Sequence, residues 1–178
     1  VKGVTDTWTI SGTLLAPKGD FETYVSCGTW DMQYANQTEM KRGKYFTRED
    51  FYAGNKVGVI SDQDAIRLFG TDDVVGMTVE VTLYNITQEV TLIGVCESQS
   101  SALDMSYVME MPVYIYSPYT MLESYDVSVG DTYSVIIICE DSAYSRQVIE
   151  DTVRLLEARH QCQGQDIYVT EDFNDYLD

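Results

Sequence analysis

Arg42-Gly43-Lys44-Tyr45-Phe46-Thr47-Arg48-Glu49-Asp50 opens the stretch, residues 42–96, whose reading decides the fold of this chain. Lys56-Val57-Gly58-Val59-Ile60-Ser61 follows and reads as a short apolar strand that ends on a helix cap. Ser61 can accept from the backbone three residues on, and Asp64 makes a partial capping box with it. Ala65, Ile66, Leu68 and Phe69 give the next residues one apolar helical face, and Gly70 supplies a left-handed stop. Asp72-Asp73 is a turn. Met77 to Leu83 and Glu89 to Cys96 are two strands, which the loop Tyr84-Asn85-Ile86-Thr87-Gln88 folds into a hairpin. Gly43 to Asp50 reads as a loop.

The pattern continues outward in both directions. Residues 4–15 alternate loosely as a strand or an extended pair, Pro17-Lys18-Gly19-Asp20 is a turn, and Phe21 to Gly28 is a further strand. Residues 29–42 show no period and read as irregular. Residues 97–110 are polar, rich in Ser and Met, and read as a mobile loop. Val113 to Tyr116 is a strand stopped before Pro118. Tyr133 to Cys139 is a β-branched run suited to a central strand. Asp141 and Ser142 offer caps. Val148, Ile149, Thr152, Val153, Leu155 and Leu156 then mark a helix, and Asp166 to Thr170 a last strand, which completes a β-α-β unit. The class is α+β.

Bulk composition narrows the function. The 178 residues are 44% apolar, enough for a packed core. With 11 basic and 29 acidic residues the net charge is −18. Nucleic acid is therefore not an expected partner, because phosphate contacts need a cationic face. Flat docking on anionic lipid is disfavoured for the same reason. A cationic partner such as a basic peptide would be attracted, and the acidity also serves solubility. No apolar run reaches the roughly 20 residues of a spanning helix. The chain shows no initiating Met and no signal-peptide pattern, and reads as an excised or processed piece.

Nothing in the residues points to chemistry. No catalytic, cofactor or metal residue is assigned. His160 is the single histidine and sits at a helix end, where the helix dipole favours it. The Walker pattern and the calcium-loop pattern are absent. Cys27, Cys96, Cys139 and Cys162 lack the Cys-x-x-Cys spacing of zinc or redox sites. Cys139 and Cys162 should lie at opposite ends of their strand–helix pair, too far apart to bridge. Mostly free, buried thiols are expected. Asn36-Gln37-Thr38 and Asn85-Ile86-Thr87 match the glycosylation acceptor.

Recognition is the remaining possibility. The chain has 14 tyrosines. Val113 and Ile115 should face one side of their strand and Tyr114 and Tyr116 the other. Tyr114, Tyr116 and nearby Tyr119 are candidate partner-contact residues, and Met105 and Met109 candidates for an adaptable apolar contact. Ordinary sheet packing is the leading account of the tyrosines, because aromatics favour strands anyway.

The order of motifs in 42–96 resembles the extracytoplasmic core domain of MacB-type ABC transporter permeases. Gly43-Lys44-Tyr45-Phe46-Thr47-Arg48-Glu49-Asp50 is similar to that family's Gly-Arg-Phe-Phe-x-x-x-Asp loop. Val57-Gly58-Val59-Ile60-Ser61, Leu68-Phe69-Gly70, Asp73-Val74-Val75-Gly76-Met77 and Leu92-Ile93-Gly94-Val95 follow in the family's order, as does Met111-Pro112-Val113-Tyr114-Ile115-Tyr116-Ser117-Pro118. Lys44 stands for the usual Arg, and Val74 and Met77 for Pro and Lys. Val1-Lys2-Gly3-Val4 resembles the end of the family's first helix and the turn after it. A strand and helix precede that point in the family.

The resemblance implies a two-lobed domain. Residues 1–35 and 127–178 would form a porter-like membrane-proximal lobe of β-α-β units, lacking its first strand and helix, and residues 36–126 an inserted β-rich lobe. It implies a place on the extracytoplasmic face of the bacterial membrane, within a multi-pass protein. It also implies no enzymatic role for this chain, with the ATPase on another chain or domain. Implied partners are that ATPase, a second permease copy, and an adaptor or sensor protein. The implied task is to couple ATP hydrolysis to export or release of peptide, antibiotic or lipoprotein. A secreted or surface module for a cationic peptide or glycan is the alternative. A hydrolase is a third, weaker reading for want of a nucleophile–base signature.

Overall fold

In a computed structural model of the chain, residues 1–98, 111–128, 134–162, 164, 167 and 169 are described. The chain divides into two units, one of Val1–Lys2 with Cys139–Asp178 and one of Gly3–Ile138.

The larger unit is built on β2 (Thr7–Ala16), β3 (Gly19–Gly28), β4 (Met40–Gly43), β5 (Val57–Ser61), β6 (Thr78–Leu83), β7 (Ile86–Cys96) and β8 (Val113–Pro118). They form one seven-stranded sheet. Its pairings run β2–β3–β8–β5–β7–β6 and return from β6 to β2, so these six strands close into a barrel with β4 added along β7. Closure removes the unpaired edges that an open sheet would expose.

Period-two patterning fills the ring. Ile10, Leu14, Val25, Val79, Val81, Leu83, Val90, Leu92, Val113 and Ile115 all belong to one buried core. β5 is buried on both faces. Ile60 joins that core, while Val57 and Val59 join a second cluster with Met32, Tyr45, Phe46 and Cys96. This explains the unbroken apolar run Val57–Ile60. Gly12 sits where β2 meets β6, and a Cβ there would collide with the Thr82 carbonyl.

Among the described residues three helices serve the larger unit. α1 (Met32–Ala35) buries Met32, and α2 (Arg48–Tyr52) buries Phe51. α3 (Asp62–Phe69) follows β5 as expected: the Ser61 side chain accepts from the Asp64 amide, and Gly70 ends it at φ 84°. Ala65 and Leu68 of α3 enter the barrel core, as do Met121, Leu122 and Tyr125 of the 3₁₀ turn Tyr119–Tyr125. The Tyr125 hydroxyl donates to the Val81 carbonyl at 3.1 Å.

Charged side chains of α3 tie distant segments together. Arg67 pairs with Asp64 at 3.0 Å and donates to the Met111 carbonyl at 2.6 Å. Asp62 accepts from Lys41 of β4 at 2.9 Å and from the Ser98 amide at 3.2 Å. Arg42 reaches Asp72 at 3.2 Å.

Several local expectations need correction. Residues 29–42 are not irregular, since they hold α1 and β4; neither is long enough to show a period. The loop Gly43 to Asp50 contains the start of α2, capped by Thr47. The five-residue hairpin loop is really the pair Tyr84-Asn85, both at positive φ, with β7 beginning at Ile86. Strand β8 runs through to Pro118, which lies at its end. The run Tyr133 to Cys139 does not form a central strand. Of its described residues, 134–139, only Ile136–Ile138 (β9) form a strand, in a two-stranded antiparallel sheet with β1 (Gly3–Thr5). β2 and β3 are integral to the seven-stranded sheet, with β3 beside β8 and β2 beside β6.

The smaller unit contains a 3₁₀ turn, Ser142–Tyr144, and α4 (Ser145–His160). The Asp141 side chain accepts from the Ala143 amide at 2.8 Å. α4 confirms the helical spacing of its apolar residues, and Gln161 ends it in the left-handed region. The loop 97–110 and the strand Asp166 to Thr170 lie mostly outside the described residues, and Met105 and Met109 wholly so.

Candidate functional site

The most developed surface feature begins at α2. The Thr47 hydroxyl accepts from the Asp50 amide at 3.2 Å, and the Asp50 carboxylate accepts from the Thr47 amide at 2.9 Å, a complete capping box. Asn55 adds a bond to the same carboxylate at 2.9 Å. Partial burial alone would raise the Asp50 pKa, but these bonds outweigh it and hold the carboxyl below its usual value. Five residues are too few for a stable isolated helix. The box and the packing of Phe51 therefore set where α2 stands.

Phe51 is the anchor. Its ring meets Trp30 edge-on at 5.4 Å and Tyr119 at 4.7 Å, and its carbonyl accepts from Thr120 at 2.6 Å. Trp30 follows β3 through Thr29, whose amide donates to Thr5 at 3.1 Å. Arg48 and Tyr52 lie four apart on α2 and so share a face. The Arg48 guanidinium stands 5.6 Å from the Trp30 ring centre and 5.5 Å from that of Tyr52. Both distances fit cation–π attraction. Tyr52 is 68% exposed and Arg48 is exposed too. The result is an aromatic platform with a fixed cation on it.

The structure separates the three described tyrosine candidates. Tyr119 joins the platform through Phe51. Tyr114 points outward from β8, 41% exposed, with its ring 5.5 Å from that of Tyr24. Tyr116 is half-buried in the second cluster, where burial raises its hydroxyl pKa. Trp30, Arg48, Phe51 and Tyr52 were not singled out in the sequence. The signal that could have found them is Thr47-x-x-Asp50, a capping pattern that presents Arg48 and Tyr52 on one helix.

Among the described residues no reactive constellation accompanies the platform. Burial pushes the Cys96 thiol up to about 11 and the Cys27 thiol higher still, which disfavours the nucleophilic thiolate. All four cysteines are unpaired. His160 closes α4 and is exposed. Among the described residues no group of three His, Cys, Asp or Glu side chains converges on a metal position.

The family of the MacB-like periplasmic core domain matches residues 1–155. The chain belongs to that family. Three solved structures share the MacB-like fold. The periplasmic region of MacB from Actinobacillus actinomycetemcomitans is 20% identical with a TM-score of 0.67, over 90% of this chain and 68% of that one. The extracellular domain of the noncanonic ABC-type transporter YknZ from Gram-positive bacteria is 23% identical with a TM-score of 0.67, over 90% and 77%. A domain of a putative permease protein from Porphyromonas gingivalis is 17% identical with a TM-score of 0.56, over 90% and 70%. No curated protein matches the chain. The α+β class and the MacB-like resemblance are thereby confirmed. Among the described residues no helix is long and apolar enough to cross a membrane.

Proposed function

We propose that this chain is the extracytoplasmic core domain of a MacB-like ABC transporter permease, anchored in the membrane by other segments of its parent protein. It acts by partner contact and by transmitting movement driven by an ATPase on another chain or domain. The observation that carries this reading is the family match over residues 1–155. The platform supports it, because Trp, Tyr and Arg are the residues that dominate protein contacts. The expected partners are the ATPase, a second permease copy, and an adaptor or sensor protein. The transported or released species belongs to the peptide, antibiotic or lipoprotein classes.

We read the inserted β-rich lobe as the barrel, residues 7–118, with the 3₁₀ turn after it. We read the porter-like lobe as drawing on the residues that follow β9.

The test is the full permease with its ATPase in lipid nanodiscs. Replacing this domain by a short linker should leave basal ATP hydrolysis and abolish its response to substrate or partner. An unchanged response would overturn the reading. So would a parent gene that encodes no membrane-spanning helix beside this domain.

A further inference from the structure

Arg48, the cation of the platform, pulls electrostatically on its neighbour Glu49 but closes no ion pair with it. The other well-placed cations of the larger unit have polar partners: Lys41 and Arg42 pair with Asp62 and Asp72, Arg67 with Asp64, Lys18 donates to the Ile66 carbonyl, and Lys56 donates to Gln88. Arg48 pairs with no acid within 4 Å among the described residues, although the chain has 29 of them. Two aromatic faces hold its guanidinium instead. A guanidinium lying over rings keeps its N–H donors free at the edge of its plane, in the fork geometry that suits a carboxylate. The exposed ring of Tyr52 offers apolar contact beside the charge.

We propose that Arg48, Trp30 and Tyr52 form a docking site for a carboxylate-bearing peptide segment of a partner protein, with the carboxylate on Arg48 and an adjacent apolar side chain on Tyr52. Charge complementarity selects the occupant. A basic segment would meet Arg48 with like charge, and the net charge of −18 draws such segments to the rest of the surface instead. The proposal rests on the partner-contact reading above and gives that contact its chemistry.

The experiment uses the 178-residue chain carrying Trp8→Phe, which leaves Trp30 as the sole indole. The probes are a capped hexapeptide of Asp and Leu, its Asn counterpart, and a neutral oligosaccharide. Trp30 emission and the Arg48 Nε–H resonance are followed. The Asp peptide should shift both signals saturably, and the Asn peptide should bind about tenfold more weakly or worse, as expected for loss of a charge-assisted bond. Arg48→Gln should remove the response while the thermal midpoint and the Tyr24–Tyr114 region stay unchanged. An equal response to the Asn peptide, a response that survives Arg48→Gln, saturation by the oligosaccharide alone, or no shift at millimolar Asp peptide would each overturn the proposal. Because binding is read on the separate chain, failure here leaves the nanodisc result intact, and failure there leaves this site intact.

Discussion

Removing Arg67 is the sharpest test of how the larger unit is held together. Its side chain is 4% exposed and that of Asp64 11%. The guanidinium satisfies Asp64 at 3.0 Å, donates to the Met111 carbonyl at 2.6 Å and lies 5.8 Å from the Phe21 ring centre. Arg67→Met keeps the apolar stem and leaves the Asp64 carboxylate buried with its Ser61 bond and a backbone bond from Tyr114. Breaking one side of such a pair costs about 3–5 kcal/mol. For a chain of this size that lowers the thermal midpoint by roughly 6–20 °C. Urea unfolding followed at Trp8 and Trp30 measures it. Adding Asp64→Asn should recover much of the loss, because no unpaired charge then remains. The dependence on pH gives a second check. Burial already raises the Asp64 pKa, ahead of the opposing pull of Ser61 and Arg67. Without Arg67 it rises further, so between the unfolded value and the folded one the native state holds the extra proton. Stability of the variant should therefore grow as pH falls through that window, while its deficit shrinks. A cost under about 1 kcal/mol, or a double variant that loses as much as both singles together, would refute the account.

Other outcomes follow from the same geometry. Gly94→Ala drives a Cβ into the Lys44 carbonyl and should cost about 1–3 kcal/mol by thermal denaturation, whereas Gly76→Ala has open space but a φ of 90° and should cost about 1 kcal/mol. Thr47→Ala removes the α2 cap; a loss of about 1 kcal/mol is expected, with faster amide exchange confined to residues 48–53. Partial burial of Asp62 acts to raise its pKa, but bonds from Lys41 and the Ser98 amide leave it lowered, so its stabilisation is present above the unfolded pKa and disappears as pH falls through the folded value, visible in acid titration of the fold. Alkylation by iodoacetamide at neutral pH should reach Cys139 and Cys162 well before the buried Cys27 and Cys96, which react only when the barrel opens.

The legible parts of this fold are those set by neighbours in sequence. Ser61 and Gly70 bracket α3 because a cap and a left-handed stop act within one turn. The apolar spacing of α4 and the hairpin of β6 and β7 are equally local. The misread parts depend on distant partners. Ile136–Ile138 is apolar enough for a central strand, yet among the described residues it pairs only with β1. β4 has four residues and no buried face to set a period. Barrel closure rests on β3 lying parallel to β8, ninety positions away, which no short window contains. The platform was hidden for the same reason, since Trp30, Arg48, Tyr52 and Tyr119 come from three separate segments. Tyr119 was reachable from the sequence only as one of many tyrosines near a strand.

The ring of strands also constrains the order of events during synthesis. β3 meets β8 in register from Thr23 with Val113 to Gly28 with Pro118, so the circuit stays open until residue 118 has emerged from the ribosome or translocation channel. Before then β2 and β3 can pair as a hairpin, and β6 and β7 as another, but each leaves an exposed flank. Contacts this far apart in sequence make the final step slow, in the range of milliseconds to seconds. A pause or truncation before Pro118 would leave a sticky half-barrel, and a chaperone that shields strand flanks would have its window of action there.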